Sequence, residues 1–214
     1  MCNVKCGMNL DLYVDTSRKG VSMGVASTER YEEVVSPEAR GETLGATLDG
    51  LLERMGATLD DVKRVMVTLG PGSFSGLRTG VAFCQGLCFS GKRELYGVTT
   101  LQALECFGTS PATAVVIRAR TGFWYTRLGN EEKFIETPEV AELLEKAQVK
   151  AVVTDDAALA DETLKATFEK LGATTVRDTG LPLNRWAPLF DTVKPSLIQE
   201  ANYIQPSYFE KLKA

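Results

Sequence analysis

The stretch Gly70-Pro71-Gly72-Ser73-Phe74-Ser75-Gly76-Leu77-Arg78-Thr79-Gly80 restricts the fold more than any other part of the sequence. A β-branched run, Val62 to Thr68, leads into it, so the glycines stand where a strand ends and a helix begins. Gly70 and Gly72 let the backbone take positive φ, Pro71 sets the turn, and Ser73 or Ser75 can cap the first helical turn. A glycine-rich loop at a helix N-terminus attracts anions, so Ser73 and Arg78 are candidate nucleotide contacts. Neither standard frame is present. Leu77-Arg78 stands where a P-loop has its Lys and hydroxyl, and Ser73-Phe74-Ser75 breaks the Gly-x-Gly-x-x-Gly spacing.

The 214-residue chain contains no histidine. It therefore has no imidazole ligand, no Ser-His-Asp or Cys-His nucleophile and no ordinary general base with a pKa near neutrality. A net charge of −4 and a pI near 5.1 argue against a protein that grips nucleic acid alone. No apolar run reaches the roughly 18 residues a membrane helix needs, and Met1 to Cys6 carries no apolar signal core, so the expected compartment is the cytoplasm, with no membrane partner. The five cysteines are expected as thiols.

In chain order, Leu10–Asp15, Val21–Ser27 and Tyr31–Val35 read as strands of an antiparallel meander. Asp15-Thr16-Ser17 at the first turn is a candidate metal or nucleotide contact, or simply caps the turn by side-chain hydrogen bonds. Ser36-Pro37-Glu38 has the form of a helix start, and the helix is expected to run to Met55, ended by Gly56. Gly41 and Gly45 continue the side of Leu48 and Leu52. In the next helix, about 73–89, Gly76 and Gly80 repeat the pattern beside Phe83 and Leu87. These two smooth faces either pack on their own sheet or dock a partner's helices. With the strands Val62–Thr68 and Leu95–Val98 and a helix from Thr100, the first half makes a mixed five-stranded α/β lobe. After Pro111 the scheme repeats weakly: strands at 114–118, 123–128 and 133–136, a helix at 138–147, a strand at 150–153, a helix at 155–171 and a strand at 174–176. Trp186–Val193 reads as helical.

The glycine stretch resembles the signature Gly-Pro-Gly-Ser-Phe-Thr-Gly-Leu-Arg-Ile-Gly of the TsaB (YeaZ) family of the tRNA threonylcarbamoyladenosine pathway. Asp15-Thr16-Ser17, Val98-Thr99-Thr100-Leu101-Gln102-Ala103-Leu104, Arg118-Ala119-Arg120-Thr121-Gly122 and Pro206-Ser207-Tyr208-Phe209 are similar to further family motifs in the same order, although Arg118 replaces an acid. The resemblance implies a two-lobed actin/sugar-kinase/Hsp70-like fold of mixed sheets flanked by helices. The lobes would span 1–104 and 105–192, with a tail, 193–214, returning to the first. It implies a non-catalytic relative of TsaD, whose metal-binding His-x-x-x-His pair has no counterpart in Arg40-Gly41-Glu42-Thr43-Leu44. It further implies a heterodimer with TsaD through Gly41, Gly45, Leu48, Leu52, Gly76, Gly80, Phe83 and Leu87, and TsaE in a larger complex. The chain alone would form a homodimer and touch tRNA only indirectly. It would hold no cofactor by itself, ATP or ADP belonging to the complex and reached by Asp15, Ser73 and Arg78. Rival readings are an ATP-dependent phosphotransferase of the same superfamily and a peptidase.

Overall fold

Leu10, Leu12 and Val14 alternate with Asp11 and Tyr13, and this period of two places one apolar row on each side of the strand they form. The computed structural model describes residues 8–179 and 181–204; the Pro206–Phe209 motif and Cys2 and Cys6 lie outside them. The chain divides into two units, one holding the residues up to Val98 with Pro182–Ala201, the other Thr99–Leu181.

In the first unit β1 (Leu10–Asp15), β2 (Val21–Ala26), β3 (Tyr31–Ser36), β4 (Val62–Thr68) and β5 (Glu94–Val98) form one sheet in the order β3-β2-β1-β4-β5. β1, β2 and β3 pair antiparallel, while β4 and β5 run parallel to β1. The register puts Leu12 between Val25 and Val65, and Val14 between Met23 and Val67. Helices α1 (Leu44–Met55) and α2 (Phe74–Cys88) cover this apolar row, with Leu48, Leu51, Val81 and Cys84 buried in the same cluster. On the opposite face Tyr13 meets the rings of Trp186 and Phe190, which belong to the 3₁₀ helix Leu183–Asp191. The Arg64 guanidinium, held by Asp11 through two 2.7 Å hydrogen bonds, lies 4.1 Å from the centroid of Phe190.

The second unit repeats the plan. β6 (Thr113–Arg120), β7 (Phe123–Leu128), β8 (Glu131–Glu136), β9 (Ala151–Thr154) and β10 (Thr174–Arg177) lie in the order β10-β9-β6-β7-β8, again an antiparallel meander with two parallel strands added. α3 (Thr100–Glu105) opens the unit with a capping box from Thr99 and Gln102. Ala114, Val116 and Val152 pack under α4 (Thr137–Ala147), α5 (Asp156–Ala160) and α6 (Glu162–Leu171). Two mixed sheets flanked by helices, built on one repeated strand order, are the architecture that the family resemblance implies.

Four local expectations are corrected. The helix read from Ser36 begins at Leu44, because β3 keeps pairing through Ser36 with Val21, and only the 3₁₀ turn Gly41–Thr43 precedes α1. The single helix read over 155–171 is broken at Asp161, whose extended backbone ends α5 and whose carboxylate accepts the amides of Thr163 and Leu164 to cap α6. The helix read at Trp186–Val193 is the 3₁₀ segment above, with Pro188 inside it. Residues 182–192, read as part of the second lobe, belong to the first unit, because Trp186 and Phe190 are buried against Tyr13 and Tyr96 of its sheet.

Candidate functional site

β1 and β4 run parallel side by side, so the Thr16-Ser17 turn and the glycine loop leave the sheet at the same end. Asp15 Oδ1 accepts both the Ser17 amide and the Thr68 hydroxyl at 2.8 Å, which fastens the two strand ends together. The Ser73 amide then donates to the Ser17 carbonyl at 2.7 Å, and Ser73 Oγ caps α2 by accepting the Gly76 amide at 3.3 Å. Gly70 holds φ at +114°, a conformation that favours glycine.

The four-residue spacing of Gly72, Gly76 and Gly80 is explained by this turn. A Cβ added at Gly72 would overlap the Ser17 carbonyl oxygen, at Gly76 the Thr16 carbonyl oxygen, and at Gly80 the Thr16 hydroxyl. Thr16 and Ser17 are each 2% exposed, and neither hydroxyl has a hydrogen-bond partner among the described residues. The structure thus joins Asp15 to Ser73 through Ser17. It does not draw Arg78 into the turn: that side chain is exposed, with its guanidinium carbon 5.2 Å from the Phe74 ring centroid. Among the described residues no three Cys, Asp or Glu side chains gather as a group that could hold a metal ion.

The partner-binding residues named from the sequence fare differently. Leu48 and Leu52, at 3% and 5% exposure, are core residues, and Phe83 and Leu87 are half-buried against the same core. Gly80 is closed by Thr16, Gly76 by the Thr16 carbonyl, and Gly41 by the Thr79 side chain of α2. Of these positions only Gly45 is exposed with open space around it. The residues that repeat with the leucines are those that face the sheet, so helical periodicity picked out the packed side of α1 and α2.

The open side of α2 carries Ser75, Arg78, Ala82, Gly86 and Phe89, spaced by three or four residues and all exposed. An added Cβ at Gly86 meets nothing within 4 Å. Phe74 is 59% exposed at one end of the helix and Phe89 is 79% exposed at the other. None of these residues was named from the sequence as a partner contact; two large aromatics, Phe74 and Phe89, bracketing the helix were the available signal. The cysteines of α2 take no part, since burial pushes the Cys84 thiol well up and that of Cys88 up to about 11.

Comparison with known proteins supports one assignment. Residues 35–139 match the family described as TsaD: tRNA N6-adenosine threonylcarbamoyltransferase. Over 145 residues the chain is 27% identical to the tRNA threonylcarbamoyladenosine biosynthesis protein TsaB of Escherichia coli strain K12, covering 60% of this chain and 63% of that protein. It is 34% identical over 61 residues to the tRNA N6-adenosine threonylcarbamoyltransferase of Clostridium perfringens strain SM101, covering 28% of this chain and 18% of that enzyme. The chain therefore spans under two thirds of either relative's length. The YeaZ structure from Pseudomonas aeruginosa superposes with a TM-score of 0.62 at 20% identity, covering 94% of this chain and all of that one. A second Pseudomonas aeruginosa structure, described as similar to peptidase YEAZ, gives 0.67 at 21% identity, covering 92% of this chain and all of that one. These two likenesses show the fold, and the sequence match to TsaB together with the glycine signature makes the chain similar to the TsaB (YeaZ) family.

Proposed function

We propose that this chain is the non-catalytic scaffold and activator subunit of the bacterial machinery that installs threonylcarbamoyladenosine next to the tRNA anticodon. It acts as a heterodimer with TsaD. The observation that carries the reading is the open side of α2. The small residues Ser75, Ala82 and Gly86, with the rings of Phe74 and Phe89 at the two ends and Arg78 beside Phe74, leave apolar area exposed, and exposed apolar patches mark association surfaces. Ala82 and Gly86 let a partner helix approach closely.

On this reading the chain works in the cytoplasm and pairs with itself through the same surface when TsaD is absent. TsaE joins the larger complex, and ATP or ADP is held there rather than by the isolated chain. Reconstitution tests the role: tRNA modification is measured with the cognate TsaD, TsaE and a threonylcarbamoyl-adenylate supply, with and without this chain. Stimulation is expected; equal activity in both would refute the role. For the surface, Ala82→Arg is expected to abolish co-purification with TsaD while melting like the parent, because Ala82 is exposed. Retained co-purification would move the interface elsewhere.

A further inference from the structure

The tip of the β6–β7 hairpin combines two exposed guanidinium groups with a stack of aromatic rings, and the scaffold role makes no use of it. The Arg118 amide donates to Asp155 Oδ2 at 2.6 Å, which fixes the end of β6, while its guanidinium donates to Thr121 Oγ1 of the turn at 3.2 Å. The ladder shifts register between Arg118 and Arg120, and Arg120 pairs with Phe123 across the turn. The Arg120 guanidinium carbon lies 4.1 Å from the centroid of Phe123 and 5.6 Å from that of Phe134. The two rings are stacked at 5.0 Å with an interplanar angle of 10°, and Tyr125 lies 5.8 Å from Phe134. Among the described residues, neither Arg118 nor Arg120 forms an ion pair with a carboxylate, whereas the neighbouring Arg177 is neutralised by Asp156 at 3.1 Å.

We propose that this hairpin tip contacts RNA, stacking an unpaired base on Arg120 and Phe123 while Arg118 meets the adjoining phosphate. The inference rests on the proposed role in tRNA modification. Bases splayed from a loop stack on aromatic faces and guanidinium planes, and this stacking is tolerant of sequence. The site stands on an exposed turn, with Gly122 at φ +75° between the two strands, so a continuing strand can cross it. The net charge of −4 makes general attraction to polyanions weak, which leaves binding dependent on these residues.

The test uses the full chain and a fluorescently labelled RNA stem-loop with an unpaired purine loop, followed by anisotropy at two salt concentrations. Phe123→Ala and Arg120→Ala are each expected to weaken binding about tenfold, and a fully paired duplex to bind no better than those variants. Arg118→Ala should weaken binding to all loops and lower the log–log salt slope by about 0.7. Should Phe123→Ala melt early, Phe123→Leu keeps the apolar bulk without the ring face and should still lose affinity. No binding by the parent chain, parental affinity in variants that melt normally, or full displacement by equimolar free AMP would each overturn the proposal. Binding is read without TsaD. Failure here therefore leaves the scaffold role standing, and failure of the reconstitution leaves this result readable.

Discussion

Replacing Gly80 and Gly86 of α2 by alanine, one at a time, should move stability in opposite directions although the chemical change is the same. In an exposed helix interior Gly→Ala gains about 1 kcal/mol from backbone entropy. Gly86 receives that gain whole, because its new methyl meets nothing within 4 Å. At Gly80 the methyl would overlap Thr16 Oγ1 and stand 3.2 Å from both Thr16 Cβ and Cγ2. Thr16 is β-branched and 2% exposed, and its backbone is trapped between Asp15 and α2, so it has little room to yield. Overpacking of this kind costs about 1–3 kcal/mol, which exceeds the propensity gain at all but the bottom of that range. The two variants should therefore differ by roughly 1–3 kcal/mol, the overpacking cost alone, since the propensity gain is common to both. Urea unfolding in a Trp124→Phe background leaves Trp186 as the reporter of the first unit. Adding Thr16→Ala to Gly80→Ala should recover most of the loss, a coupling that distant residues do not show. Equal stabilisation by both alanines, or no coupling to Thr16, would refute the packing argument.

Phe190→Ala should cost about 3–5 kcal/mol, because the ring is 5% exposed and wedged between Tyr13, Tyr96 and the Arg64 guanidinium; a urea midpoint within error of the parent would contradict this. Burial raises the Glu33 carboxyl above its usual range, the Leu183 amide and the Tyr31 hydroxyl opposing the shift only in part. The folded state then binds more protons than the unfolded one, so this group's contribution falls as pH rises from the ordinary Glu value through the raised one. Glu33→Gln, which keeps an oxygen for the Leu183 amide, should flatten that decline in a pH series of melting temperatures; an unchanged profile would assign the slope elsewhere.

Much of the sheet was legible because it rests on local signals. The runs Leu10–Asp15, Val62–Thr68 and Ala114–Arg118 alternate or branch as strands must, and Ser73 heads α2 with a side chain that satisfies its own helix. The glycine signature likewise carried the likeness to the TsaB (YeaZ) family in residue identities alone. Tertiary structure decided what each signal was for. Ser36-Pro37-Glu38 has every local mark of a helix start, yet pairing of Ser36 with Val21 outweighs a cap worth about 1 kcal/mol. Gly41, Gly76 and Gly80 look from spacing like a surface smoothed for a partner; the fold fills that space with Thr79, Thr16 and the Thr16 carbonyl. The open side of α2 became identifiable only once the sheet had claimed the opposite side. A helical repeat states which residues share a face, and only packing against distant strands states which face is left to water.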